Sequence, residues 1–228
     1  MGLHEVYNPR FDLIRSTVSE EVVSTLDTVA GTLGLDPMGE WLLREKVRDL
    51  HYYYDPNRQL RGRDALRQTA RKVLMNELLS TLVPLKGQRL MVIAHSMGSI
   101  IAYDVLRDLG RADPGFSVHH FITIGSPLGL PLVKERVYVE RAYSRIRLRT
   151  PTVVREKWRS YADRRDRVAI DTHLSDDFGP NDSGVQVEDD LIISDYLTLD
   201  GQHNYHKVYG YLRTPELSRQ VKEFLESS

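Results

Sequence analysis

The chain has 228 residues, 41% apolar and 28% charged, with a formal net charge of −1 and no cysteine. Near-neutrality leaves no global field to draw in nucleic acid or an anionic membrane, and the lack of cysteine excludes disulfides, thiolate nucleophiles and cysteine metal sites. The length fits one domain spanning 1–228, no apolar run reaches membrane-spanning length, and Met1 to Val6 does not read as a signal peptide, so a cytoplasmic location is expected.

In chain order, Val22, Leu26, Val29 and Leu33 predict an amphipathic helix ending at Gly34. Trp41, Leu42, Val47 and Leu50 predict a second, shorter one. Tyr52-Tyr53-Tyr54-Asp55-Pro56 reads as a loop or short edge strand, and Leu66, Ala70, Val73, Leu74 and Leu78 as one face of a longer helix. Leu90 to Ala94 is a continuous apolar run, the pattern of a strand buried on both faces. After Ser96, the residues Ile100, Ile101, Val105, Leu106 and Leu109 recur at helical spacing. His119-His120 reads as a loop pair before a strand at 121–124. A β–α–β order with crossovers of this length implies parallel strands in an α/β sheet.

Beyond that strand the signals weaken. Residues 128–157 set Leu128, Leu130, Leu132, Val133, Val137, Val139, Tyr143 and Ile146 among arginines, which suits either a small amphipathic lid or a connecting helix. Arg155 to Tyr161 and Gly184 to Ile193 are strand candidates. The final helix is clearer: Thr214 is the expected N-cap, Pro215 the first helical residue, and Leu217, Val221, Phe224 and Leu225 the inward face. Residues 134–167 hold twelve Lys or Arg and five acids, whereas 171–200 hold nine acids and no Lys or Arg. Mutual pairing or solvation explains such blocks better than a lipid cap and a metal loop, since Asn181-Asp182-Ser183-Gly184 lacks alternate-position calcium ligands.

The most specific signal is Ala94-His95-Ser96-Met97-Gly98-Ser99, where an apolar strand enters a tight small-residue turn and leaves as a helix. Such a turn lifts a serine hydroxyl out of the chain. Ala94 and Gly98 are the small residues two before and two after Ser96; Ala94 departs from the usual glycine by one methyl group. Met97, next in line, carries a backbone N–H at a helix start, where it can face a developing oxyanion. Ser126 is a weaker nucleophile candidate, because Pro127 after it has no N–H to donate.

These residues resemble the nucleophile elbow of α/β-hydrolase-fold lipases and esterases. Phe121-Ile-Thr-Ile-Gly-Ser-Pro-Leu-Gly129 is similar to the next core strand of the lipase-like branch that includes the GPI inositol-deacylases. Trp158 to Asp171 and His203 to Leu212 also resemble that branch. The resemblance implies an α/β-hydrolase fold, a mainly parallel sheet flanked by helices, in a minimal or N-terminally shortened version. It further implies a Ser-Asp-His triad in that chain order acting on a small-molecule ester, with no metal or organic cofactor. Ser96 is then the nucleophile and Met97 the oxyanion donor.

By the same resemblance Asp166, followed by Val168-Ala169, is the orienting acid, with Asp163 as the alternative. His206 is the base, with His203 as the alternative. His95 is expected to shape the elbow, and His51, His119, His120 and His173 are poorly placed as bases. The second oxyanion donor of that family has no evident counterpart before Ser96, so either the stretch 52–55 or a segment outside this chain is expected to supply it. Rival functions are thioester or amide hydrolysis by the same triad, or a non-catalytic hydrolase-fold scaffold.

Overall fold

Four strands form a parallel sheet in which they lie side by side in chain order. They are β3 (Met91–His95), β4 (Val118–Ile124), β5 (Val154–Ala162) and β6 (Val187–Leu191). The structure is a computed structural model that describes residues 53–54, 59–60, 68–130, 133–134 and 148–227. Before the sheet lie a two-stranded antiparallel pair, β1 (Gln59–Leu60) and β2 (Gln68–Thr69), and the helix α1 (Ala70–Leu82). Further helices among the described residues are α2 (Met97–Ala112), the short α3 (Leu174–Asp177) and α4 (Val208–Leu212), and α5 (Pro215–Glu226). This is an α/β arrangement, as the β–α–β pattern predicts.

Register and side-chain alternation divide the sheet into two faces. Val92, Ala94, Phe121, Trp158 and Val187 join Ile100, Tyr103 and Leu106 of α2 in the larger core cluster. A fully buried Ile, Leu, Val or Phe among them contributes about 1.5–3 kcal/mol. Trp158 anchors it: its ring lies 5.8 Å from Tyr103, 5.3 Å from Phe121 and 5.2 Å from Phe178, and its indole N–H donates to Thr123 Oγ1. On the opposite face Ile122, Ile124 and Tyr161 pack with Tyr211 of α4 and Leu217 of α5.

Several expectations need correction. Among the described residues β3 pairs only with β4, so it is an edge strand and Ile93 is 40% exposed rather than buried on both faces. His119 and His120 lie inside β4, not in a loop. His120 is buried because Glu156 and Gln220 satisfy both ring nitrogens, at 3.1 and 3.2 Å. Tyr53 and Tyr54 are helical, not looped, and helix α1 starts at Ala70 because Gln68–Thr69 is extended. Thr214 is the N-cap of α5 by backbone position, but its hydroxyl donates back to the Tyr211 carbonyl instead of capping. Leu225 is exposed and does not face inward.

The two charge blocks pair, as the milder reading of them has it. Lys134 reaches Asp171 and Asp177, Arg149 reaches Asp182, and Arg159 reaches Glu188 and Asp190. The helices expected over 22–33 and 41–50, and the stretch 131–132 and 135–147 of the possible lid, lie outside the described residues. Among the described residues no helix is long and apolar enough to cross a membrane.

Candidate active site

Ser96 sits between β3 and α2 with φ 53° and ψ −132°. It is the one non-glycine residue with positive φ among those described. Holding a serine there costs about 1–3 kcal/mol, so the neighbourhood must over-determine the turn. It does so through hydrogen bonds to the Ser96 backbone, one of them from the Ser99 N–H to the Ser96 carbonyl at 2.9 Å. The Ser96 N–H donates to the Ile124 carbonyl at 3.1 Å, and the Ser99 hydroxyl donates to the Ser96 carbonyl at 2.5 Å. Because that bond uses the only hydroxyl proton of Ser99, the 2.7 Å contact between Ser99 and Ser126 runs with Ser126 donating. Ser126 Oγ in turn accepts the Leu128 N–H at 3.2 Å. The rival serine is thus a buried brace under the turn.

A serine at a helix N-cap ordinarily turns its oxygen onto the helix's first N–H groups. Ser96 makes no such cap bond; its Oγ lies 2.8 Å from His206 Nε2. His206 Nδ1 lies 2.9 and 3.0 Å from the two oxygens of Asp166. An ionised carboxylate only accepts, so Nδ1 carries the imidazole proton and Nε2 is left as the acceptor for the Ser96 hydroxyl. Ser96, His206 and Asp166 are all buried. The sequence separations are 110 and 40 residues, so the sheet brings these three together from the ends of separate elements. Met97, the first residue of α2, has one of the four N–H groups that a helix start leaves without an intrahelical acceptor.

The two loop acids separate by partner. Asp166 accepts from His206, from the Val168 N–H at 2.8 Å and from the Tyr211 hydroxyl at 2.6 Å. Asp163 accepts from the Arg165 N–H, Nε and guanidinium NH2, and from the Ser194 N–H. Burial acts to raise the Asp163 pKa, but the Arg165 and Ser194 donors outweigh it and hold the carboxyl below the usual 3.8. The two histidine candidates separate too. His203 is half exposed, 3.3 Å from Asp195 and stacked on Tyr205.

Four supporting residues fall outside the expected triad. His95 Nε2 lies 2.8 Å from the His206 carbonyl and must donate to it, while the two rings sit 4.7 Å apart. Gly125, at φ 53°, ends β4 beside the acid and the imidazole. Its signal in sequence is a glycine closing an apolar strand, a frequent mark of close approach. Tyr211 and Ser99 carry no local signal, since their partners are distant or set by the turn. The stretch 52–55 has only Tyr53 and Tyr54 described, and the Tyr53 hydroxyl is engaged with Asp104 at 2.9 Å.

A Ser–His–Asp relay of this geometry lets imidazole take the serine proton while the carboxylate offsets the imidazolium charge. A scan against protein-family models and a search of curated proteins find no match to this chain.

Proposed function

We propose that this protein is a serine hydrolase that cleaves carboxylic esters on an α/β-hydrolase-type scaffold. The observation that carries the reading is the unbroken line Ser96 Oγ to His206 Nε2 at 2.8 Å and His206 Nδ1 to Asp166 at 2.9 Å, starting at a positive-φ serine. The elbow's resemblance to esterases and lipases supports the same class.

In this mechanism Ser96 Oγ attacks the ester carbonyl as His206 Nε2 takes its proton. The tetrahedral oxyanion receives the Met97 N–H. His206 then protonates the leaving alcohol, and the C–O bond to it breaks, leaving Ser96 acylated. Water attacks the acyl-enzyme, again giving a proton to His206, which returns it to Ser96 as the acid departs. Asp166 stays ionised throughout, holding the imidazole in its reactive tautomer.

The decisive experiment is covalent labelling with a fluorophosphonate probe, followed by hydrolysis of nitrophenyl esters, thioesters and anilides. Wild-type protein is expected to label at Ser96 and to favour the oxygen esters, and Ser96→Ala to lose both activities while remaining folded. Folded wild-type protein that does not label would overturn the reading in favour of a scaffold without catalysis. A preference for thioester or anilide would keep the triad and change the substrate class.

A further inference from the structure

Asp166 and His206 come from different elements, and a single side chain ties them together. Tyr211 lies five residues after His206, in α4, and its hydroxyl reaches Asp166 Oδ2 at 2.6 Å. The same hydroxyl oxygen is 3.2 Å from the backbone nitrogen of Asp163. That N–H can only donate, so the phenol oxygen accepts there, and its one proton is directed to Asp166. The direction of both bonds is therefore fixed by chemistry.

The ring cannot swing away. It is fully buried among Ile122, Ile124, Tyr161 and Leu217. The Tyr211 carbonyl is also held, by the Thr214 N–H at 3.1 Å and the Thr214 hydroxyl at 2.8 Å. Resting on the serine hydrolase reading, we propose that Tyr211 is a positioning residue, a phenol strut that fixes Asp166 against His206 and takes part of the carboxylate's acceptor strength. It touches no reacting atom.

Burial, and then the Asp166 charge, push the phenol pKa far above its ordinary value, so Tyr211 remains a donor at every working pH. The titratable groups around it are Asp163 and Arg165 in the loop after β5, Tyr161 on β5, His95 at the end of β3, and His206 and Asp166 themselves. Without the phenol donor, Asp166 gives more of its acceptor strength to the imidazolium. The base then takes up its proton at higher pH, and the carboxylate is held less firmly.

The test is the second-order rate of fluorophosphonate labelling as a function of pH, with ester kinetics alongside, in wild type, in Tyr211→Phe, and with 3,5-difluorotyrosine placed at position 211. Tyr211→Phe is expected to lower kcat/KM by about 10- to 100-fold through kcat, the scale set by the loss of one hydrogen bond to a charged group. It should also move the acid limb to higher pH. Difluorotyrosine, a stronger donor of nearly the same shape, should move that limb to lower pH. A residue that only packed would lower the melting temperature without moving the limb. Limbs that stay in place, or move in the same direction in both variants, would overturn the role while wild-type labelling keeps the hydrolase reading. If Tyr211→Phe does not fold, the direction of the difluorotyrosine shift decides alone. Wild-type protein that does not label brings down the reading and this role together.

Discussion

Gly125 faces the Asp166–His206 pair so closely that a Cβ built on it would lie 2.9 Å from Asp166 Oδ2 and 3.3 Å from His206 Nδ1. It would also lie 3.2 Å from the Tyr211 ring. The backbone there has φ 53°, so any side chain adds strain of about 1–2 kcal/mol on top of the crowding. Gly125→Ala is therefore expected to slow ester hydrolysis by about 10²-fold, the effect of a displacement near 1 Å at a reacting group. Gly184 provides the control, since its φ is also positive, at 78°, but nothing lies within 4 Å of its would-be Cβ. Gly184→Ala should lower the melting temperature and leave the labelling rate unchanged. Equal labelling rates for the two variants would show that crowding at Gly125 does not disturb the acid.

Asp163 and Asp166 stand three residues apart with different work. Asp166→Asn removes the acceptor that fixes the His206 tautomer, and turnover should drop by about 10⁴-fold with the fold intact. Asp163→Asn breaks up the Arg165 and Ser194 anchorage and should act mainly on stability, leaving a labelling rate within about tenfold of wild type, because no triad member is lost. Urea unfolding and probe labelling on both variants check the split. The opposite ranking would reassign the acid.

The strand–turn–helix at Ser96 was legible in sequence because everything it needs is local: an apolar run, small residues at Ala94 and Gly98, and a helical pattern after Ser96. The contacts of His206 with Ser96 and Asp166 were reachable only through resemblance, since nothing local distinguishes Asp166 from Asp163. Their partners do so, and those come from His206, Tyr211, Arg165 and Ser194. His119-His120 misled for the same reason. Two histidines read as a polar loop until Glu156 on β5 and Gln220 on α5 are seen to satisfy His120 inside β4. Ile93 misled in the other direction. An apolar run shows that a strand is apolar, but whether a neighbour covers it depends on where it falls in the sheet.

Asp163 also gives the acid stability a defined direction. Its folded carboxyl titrates below the ordinary 3.8, since the donors of Arg165 and Ser194 outweigh the opposing effect of burial. A group whose pKa is lowered by folding contributes stability that is complete above its unfolded pKa and lost as pH falls through the folded value. Wild type should therefore exceed Asp163→Asn in unfolding free energy at pH 7. The gap should hold down to about pH 5 and close progressively below about pH 4, where the unfolded and then the folded carboxyl protonate. Urea titrations of both proteins at pH 7, 5 and 3 measure it. A gap that widens toward acid would mean that Asp163 is not held as an anion.

The two late histidines differ in what their loss can do. His206→Ala removes the side chain that bonds both Ser96 and Asp166, so labelling and turnover should fall by about 10⁴-fold or more. Ring contact with His95 disappears as well, but the His95 bond to the residue-206 carbonyl survives, since it is made to backbone. The variant should thus keep its fold and melt within a few degrees of wild type. His203 is tied to Asp195 and Tyr205 at the surface, where an ion pair contributes at most about 1 kcal/mol. His203→Ala should label at the wild-type rate and lose at most a little stability. Should His203→Ala abolish labelling while His206→Ala retains it, the base would have to be reassigned to His203, and the Asp166 pairing would fall with it.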